Sequence, residues 1–336
     1  IIQGSAGSGK TTVALHRLGW LLHKGNSHAR AENTRVIVMN KSLQIYVSST
    51  LPSMGINGVD AITFNSWALS VIRHATGGKA FFKYRELPEF VEKIKFSNGI
   101  LGALSQFVNQ QVRSVDNAIS REFLTNEKLF RLWKESHSKA IQPRLKDFKH
   151  DVSESNLPIK EKKVALDYVQ NLLTGQEDYI GDLYKLLSDE KLLGSFLPAD
   201  AKLGEHLSYL SRMVDKSRGK NHLDYYDMSL ILRLIQLKHG GLPNKHGGVD
   251  EFDHLVVDEA QDFGPVEFSI MMDSVGDKRD LTIVGDVSQK ILFSRKFIGW
   301  ENILDNLEVK KDTLIQLEVS FRCTVPIMNL ARKIEG

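Results

Sequence analysis

The chain has 336 residues, with 44 lysines and arginines against 41 aspartates and glutamates, which leaves a formal net charge of +3. A hydrophobic fraction of 42% and a charged fraction of 25% are typical of a folded globular protein, and they exclude a disordered or collagen-like chain. The single cysteine, Cys323, excludes an intrachain disulfide and is typical of a reducing compartment, so we expect a cytoplasmic protein. At about 150 residues per domain, the length predicts about two domains.

The chain begins at Ile1, within a predicted strand, and shows no signal-peptide pattern. We therefore expect it to be a piece of a longer protein. The sequence contains no run of about 18 apolar residues, so it predicts no membrane-spanning helix and no membrane partner.

A glycine-rich turn follows the first predicted strand. Residues 4–11 read GSAGSGKT, which matches the phosphate-binding pattern G-x-x-x-x-G-K-[ST], and apolar residues then recur at helical spacing. We expect Lys10 to contact the β- and γ-phosphates of a nucleotide, and the Thr11 hydroxyl to ligate Mg²⁺. The residues expected to bind the nucleotide are Gly4, Ser5, Ala6, Gly7, Ser8, Gly9, Lys10, Thr11 and Thr12.

An apolar strand predicted near residues 252–257 ends in two adjacent acids. Asp258 is expected to hold the Mg²⁺ shell, and Glu259 to orient and deprotonate the attacking water. Adjacent carboxylates in this position favour hydrolysis over phosphoryl transfer to a small acceptor.

Two later strands also end in polar residues. The apolar residues 281–285 lead to Gln289, whose amide is expected to contact the γ-phosphate or the catalytic water. A polar loop after a buried strand is the alternative interpretation. Arg322 follows a fourth strand and is expected to act as an arginine finger, although an arginine in such a position is also typical of a surface salt bridge.

In chain order, GSAGSGKT, VVDEAQD, VGDVSQ and VSFR resemble motifs I to IV of superfamily 1A helicases, the UvrD/Rep-like group. Within residues 36–67, VIVMNK and TFNSW resemble motifs Ia and Ib. Together with LDYYDM at residues 223–228, they make the chain most similar to the HelD-like branch, which includes DNA helicase IV. The resemblance covers residues 1–67 and 223–336.

The resemblance implies an α/β fold: a RecA-like P-loop NTPase domain with a parallel sheet. This domain is expected over residues 1–67 and 223–307, interrupted by a mostly helical insertion over residues 68–222. Residues 308–336 are expected to begin a second RecA-like domain, without which the chain alone would be nearly inactive.

The resemblance also implies an ATP- and Mg²⁺-dependent helicase or translocase that moves on single-stranded DNA, expected as a monomer. The alternative is a motor that remodels RNA polymerase. A kinase or a GTPase is disfavoured, because no guanine-reading motif is present and the VGDVSQ segment has no role in a small-molecule kinase.

The resemblance assigns nucleic-acid contacts to Asn40, Thr63, Phe64, Asn65, Phe293 and Arg295. Ser294 stands where the group has a stacking tryptophan, which weakens the expectation of duplex unwinding. Within the insertion, residues 131–149 contain six lysines and arginines against two acids. This segment is either a phosphate-binding patch or an ordinary solvated helix face.

Overall fold

The structure is a computed structural model that describes residues 1–4, 7–218, 222–276, 280–286 and 315–317. Residues 1–67 and the described residues from 251 onward form one compact unit, and residues 68–250 form another. Among the described helices, none is long and apolar enough to cross a bilayer.

The first unit alternates strands and helices. Its elements before the insertion are β1 (Ile2–Gly4), α1 (Lys10–Leu21), β2 (Thr34–Val38), α2 (Lys41–Ser53), β3 (Asp60–Thr63) and α3 (Phe64–Ala75), the last of which runs on into the second unit.

The second unit is mostly helical. Its elements are β4 (Phe81–Lys83), α4 (Glu89–Lys95), α5 (Asn98–Glu122), α6 (Glu127–Glu135), α7 (Ile141–Ser153), α8 (Ile159–Gly175), α9 (Tyr179–Ser188), α10 (Glu190–Phe196), α11 (Leu203–Ser217), β5 (His222–Asp224), α12 (Asp227–His239), β6 (Leu242–Pro243) and β7 (Val249–Asp250).

The chain then returns to the first unit. The remaining elements are β8 (His254–Val257), a 3-10 helix (Ala260–Asp262), α13 (Pro265–Met272), β9 (Leu281–Gly285) and β10 (Ile315–Leu317).

A six-stranded sheet in the order β10-β1-β9-β8-β2-β3 organises the first unit, and every pairing in it is parallel. Its central strands β2 and β8 are buried at nearly every position, which is typical of a parallel sheet covered on both faces. The predicted α/β RecA-like fold is confirmed. Because all strands run the same way, their carboxyl ends lie at one edge of the sheet.

The core of this unit lies between the sheet and its first two helices. Ala14, Leu15 and Leu18 of α1 pack in one cluster with Val47 and Leu51 of α2 and with the central strands. The apolar side chains of α1 recur every three to four residues in the sequence. This spacing gives the helix after the glycine-rich turn one apolar face, which packs on the sheet.

The helical unit extends further along the chain than the sequence predicted. Residues 223–250 were assigned to the RecA-like domain, but α12 groups with the insertion, where it packs on α5, α7 and α9. Lys238 of α12 is fully buried and forms an ion pair with the fully buried Asp182 of α9. Separating the two helices would leave both charges buried without partners, which is costly.

The strand β10 also differs from its predicted assignment. Residues 315–317 fall within the segment expected to begin a second domain, but they pair in parallel with β1 as the edge of the first sheet. The remainder of residues 308–336 lies outside the described residues.

Three of the six cations of residues 131–149 bind other side chains of the insertion. Arg144 is buried over the ring of Trp133 and bonds Asp116 at 2.8 Å. Lys139 is paired with Asp147, and Lys149 donates to the side-chain oxygen of Gln170. These contacts favour the interpretation of this segment as ordinary helix surface.

A buried histidine lies between two strands of the sheet. His254 of β8 contacts the Thr282 hydroxyl of β9 at 2.9 Å, and Arg17 of α1 donates to the same hydroxyl at 3.3 Å. Since Arg17 can only donate, the hydroxyl hydrogen of Thr282 is available to an unprotonated ring nitrogen. Burial, and then the charge of Arg17, lower the pKa of His254 to about 4.

We expect this histidine to make the fold acid-sensitive. The unfolded chain binds a proton at an ordinary histidine pKa near 6.5, whereas the folded chain resists it until about pH 4. The contribution to stability is therefore present above pH 6.5 and is lost as the pH falls, by about 2 kcal/mol at pH 5. Urea unfolding of wild type and His254→Gln at pH 7.5 and pH 5 measures this loss of unfolding free energy.

The variant should lose less stability between the two pH values than wild type. His16→Gln, at an exposed position of α1, is the matched control and should follow wild type. Equal losses in wild type and His254→Gln would contradict the assignment.

Candidate functional site

The glycine-rich turn connects the carboxyl end of β1 to the first residue of α1. Gly7 and Gly9 adopt φ values of 75° and 79°, which side-chain-bearing residues rarely adopt. A Cβ at Gly4 would lie 2.5 Å from Ser8 Oγ and 3.0 Å from the Leu317 carbonyl oxygen. Glycine is therefore required at position 4 by close packing and at positions 7 and 9 by left-handed backbone.

The lysine of this motif is held inside the turn. Lys10 is only 8% exposed, and its Nζ donates to the Gly4 carbonyl oxygen at 2.7 Å. The ammonium group therefore lies within the loop that precedes α1, where the amino-terminal end of the helix adds positive potential.

The next residue joins two motifs that are far apart in the sequence. The Thr11 hydroxyl lies 2.9 Å and 3.1 Å from the two carboxylate oxygens of Asp258, which follows β8 directly. Burial, and then the adjacent Glu259, raise the pKa of Asp258 to about 6, against the lowering effect of the Thr11 bond. Bringing a cation to this carboxylate would relieve that cost.

Glu259 has an unusual backbone. Its φ of 52° and ψ of 48° make it the only non-glycine residue with positive φ in the described part of the chain. This conformation costs about 1–2 kcal/mol for a residue with a Cβ and is typical of functional sites. This backbone turns the chain away from the direction of β8 directly after Asp258. The side chains of Asp258 and Glu259 therefore do not follow the rule that neighbouring residues of a strand point to opposite faces.

The structure also reveals a site residue that the sequence analysis missed. Gln261 is buried, and its Nε2 donates to Glu259 Oε2 at 2.7 Å. Its Oε1 accepts from the backbone N–H of Asp286, just after β9, at 3.0 Å. The DEAQD segment contained this glutamine, but its spacing alone gave no reason to single it out from its polar neighbours.

The residues expected to contact nucleic acid follow β2 and β3. Asn40 is exposed and caps α2 by accepting from the Leu43 N–H at 3.0 Å. Thr63 is buried at the end of β3, whereas Asn65 in the first turn of α3 is exposed. The ring of Phe64 is buried against Trp67 and Phe263, so the structure does not present it for stacking on a base.

Six predicted site residues lie outside the described part of the chain, and their roles stay predictions. They are Ser5, Ala6, Gln289, Phe293, Arg295 and Arg322. Thr12 is described and is exposed in the first turn of α1.

The described residues fit a nucleotide with Mg²⁺. Ser8 Oγ is buried and has no hydrogen-bond partner among the residues that the structure describes, so the turn retains a polar atom available to a ligand. The hydroxyl of Thr11 and the carboxylate of Asp258 are hard oxygen donors, which Mg²⁺ prefers in combination with phosphate oxygens and water.

Comparison with known proteins agrees with this geometry. The family model described as UvrD/REP helicase N-terminal domain matches residues 1–296. Curated relatives include proteins named ATP-dependent DNA helicase UvrD2 from Mycobacterium bovis and Mycobacterium tuberculosis, each 22% identical over 343 aligned residues. The match covers 99% of this chain and 40% of the relative, so the chain spans about two fifths of the relatives' length.

The backbone of Glu259 allows a test of strain at the site. Glu259→Gly should be more stable than Glu259→Ala by about 1 kcal/mol, because only glycine adopts positive φ without cost. Thermal or urea unfolding of the two variants measures the difference.

At Ser48, an exposed position inside α2, the order should reverse, because glycine is the poorer helix former. A Glu259→Ala protein as stable as Glu259→Gly would show that the backbone at this position is unstrained.

Proposed function

Because the chain belongs to the UvrD/REP helicase N-terminal domain family, we propose that it is the ATP-hydrolysing part of a motor that moves on single-stranded DNA. The observation that supports this most directly is the contact of Thr11 in the glycine-rich turn with Asp258 at the end of β8. It unites the phosphate-binding and metal-binding halves of a nucleoside triphosphatase site.

In this proposal Lys10 binds the β- and γ-phosphates, and the backbone N–H groups of the turn surround them. Thr11 and Asp258 hold Mg²⁺, which neutralises charge on the phosphate oxygens when bound. Phosphoryl transfer is accelerated by positioning and electrostatic stabilisation, so these fixed groups are proposed to supply most of the rate enhancement.

Glu259 is proposed to orient the attacking water and accept its proton. Gln261 holds the Glu259 carboxylate by the 2.7 Å hydrogen bond, so that the base faces one direction. Gln289 and Arg322 are proposed, from the family resemblance, to contact the γ-phosphate once ATP is bound.

Single-stranded DNA is proposed as the track because the reported relatives are named DNA helicases. Asn40, Thr63 and Asn65 are the proposed contacts in the first unit, since they follow strands whose carboxyl ends share the edge of the nucleotide site. We propose this activity ahead of remodelling of RNA polymerase.

The nucleotide site predicts the effect of two substitutions. Lys10→Ala should weaken binding of Mg-ATP at least about tenfold, because it removes a buried charge from the phosphate site. Asp258→Asn should leave ATP binding without Mg²⁺ nearly unchanged and abolish its enhancement by Mg²⁺. Titration with a fluorescent ATP analogue, with and without Mg²⁺, measures both effects.

Lys24→Ala, at an exposed position after α1, is the matched control and should bind as wild type does. Unchanged Mg-ATP affinity in Lys10→Ala would refute the assignment of the site.

The position of Gln261 predicts that its substitution lowers ATP turnover much more than nucleotide affinity. Gln261→Leu removes both hydrogen bonds of the amide and should lower ATP turnover about 10- to 100-fold, with nucleotide affinity changed less than threefold. Steady-state hydrolysis with single-stranded DNA and equilibrium nucleotide binding give the two numbers.

Gln44→Leu removes a similar bond from an amide to the Ala61 backbone carbonyl, away from the site, and should leave turnover unchanged. An equal loss of affinity and turnover in Gln261→Leu would indicate a role in folding rather than in positioning the base.

A further inference from the structure

A short segment of the second unit combines aromatic and basic residues without an acid. Residues 79–85 have the sequence KAFFKYR, and they include β4. No motif of the family resemblance includes these residues.

Two of the aromatic rings in this segment are open to solvent. Phe81 is 67% exposed and Tyr84 is 77% exposed. An aromatic ring at such exposure is available to a stacking partner. Phe81 begins β4 and Tyr84 directly follows its last residue, Lys83, so the two rings lie three positions apart in the chain.

The cations beside these rings are also open. Lys79 and Lys83 are exposed, and neither forms an ion pair with any residue that the structure describes. Arg85 lies with its guanidinium 3.5 Å from Ser217 Oγ at the end of α11. Every charged side chain of residues 79–85 is a cation.

The strand that presents these residues is rigidly supported. β4 pairs in parallel with β5, and Asp224 at the end of β5 forms a buried ion pair with Lys95 at 2.7 Å. Lys95 also bonds Asp227 at the start of α12. Asp224 is buried and bound to Lys95, and it forms no ion pair with Lys83, its register partner on β4.

We propose that the surface formed by Lys79, Phe81, Lys83, Tyr84 and Arg85 binds single-stranded DNA, with bases stacked on Phe81 and Tyr84 and phosphates held by the lysines. Every base has a ring face, so aromatic side chains bind single strands irrespective of sequence, and adjacent cations follow the backbone. A purely apolar protein partner would leave the unpaired lysines without compensation. This inference rests on the proposed function, and it adds a binding surface that belongs wholly to the second unit.

The test is binding of a fluorescent oligothymidylate by anisotropy, in the absence of nucleotide and over a range of salt concentrations. Replacing both rings, in Phe81→Ala/Tyr84→Ala, should weaken binding at least about tenfold. Phe81→Tyr/Tyr84→Phe keeps both rings and should restore wild-type affinity. Lys83→Ala should lower the slope of log K against log salt by about 0.7, which corresponds to one phosphate contact.

Two controls match these variants. Trp20→Ala removes an aromatic ring that is 57% exposed in the first unit, and Lys163→Ala removes an exposed lysine of α8. Both should bind as wild type does.

Wild-type affinity in Phe81→Ala/Tyr84→Ala, with an unchanged salt slope in Lys83→Ala, would overturn this surface while leaving the proposed function intact. A wild-type protein that binds Mg-ATP but no oligothymidylate would overturn both the surface and the DNA track. Tighter binding of oligouridylate than of oligothymidylate would overturn the assignment to DNA.

Discussion

The contact between Thr11 and Asp258 is the constraint on which the site depends. The two residues are 247 positions apart, and the hydroxyl reaches the carboxylate at 2.9 Å. The parallel sheet brings them together, because it places the carboxyl ends of β1 and β8 at the same edge. The insertion of 68–250 is tolerated because it leaves β3 and returns before β8, so that the register of β8 beside β2 and β9 is preserved.

The position of the site at the carboxyl edge of the sheet also explains why the backbone strain lies at Glu259. Asp258 must follow β8 directly to contact Thr11. The backbone must then change direction at Glu259, so that the Glu259 carboxylate can serve as the proposed base while Asp258 contacts Thr11. The left-handed backbone of Glu259 accomplishes this turn, and the hydrogen bond from Gln261 fixes the result. Since the other end of the Gln261 amide binds the backbone after β9, the base and the tip of that strand are physically linked.

Sequence alone was sufficient to locate the contiguous segments of the candidate site. The glycine-rich turn needs particular residues at consecutive positions, and an apolar strand followed by two acids is similarly contiguous, so both could be predicted. Gln261 could not, because its importance comes from two partners on different segments. Phe64 was assigned to nucleic acid by its motif, but its ring packs on Phe263, a contact nearly 200 positions away in the chain.

The boundary of the insertion shows a related limit. The helix α12 is buried on almost every side, even where polar residues recur at helical spacing, so its polarity does not indicate which neighbours it packs against. The buried Lys238–Asp182 pair connects it to the insertion, and no pattern in the sequence marks two residues 56 positions apart as partners. The pattern of charged residues in the sequence also does not show which of them are buried.

Counts of lysine and arginine do not separate internal cations from those available to a ligand. Arg144, Lys95 and Lys238 are all buried and bound to carboxylates, so they stabilise the packing of the insertion and present no charge to solvent. In residues 131–149, Arg144 is such an internal cation and Lys139 is paired with Asp147. In residues 79–85 the opposite holds, because Lys79 and Lys83 are exposed beside exposed rings. A net charge of +3 for the whole chain therefore conceals a local surface whose chemistry suits a single strand.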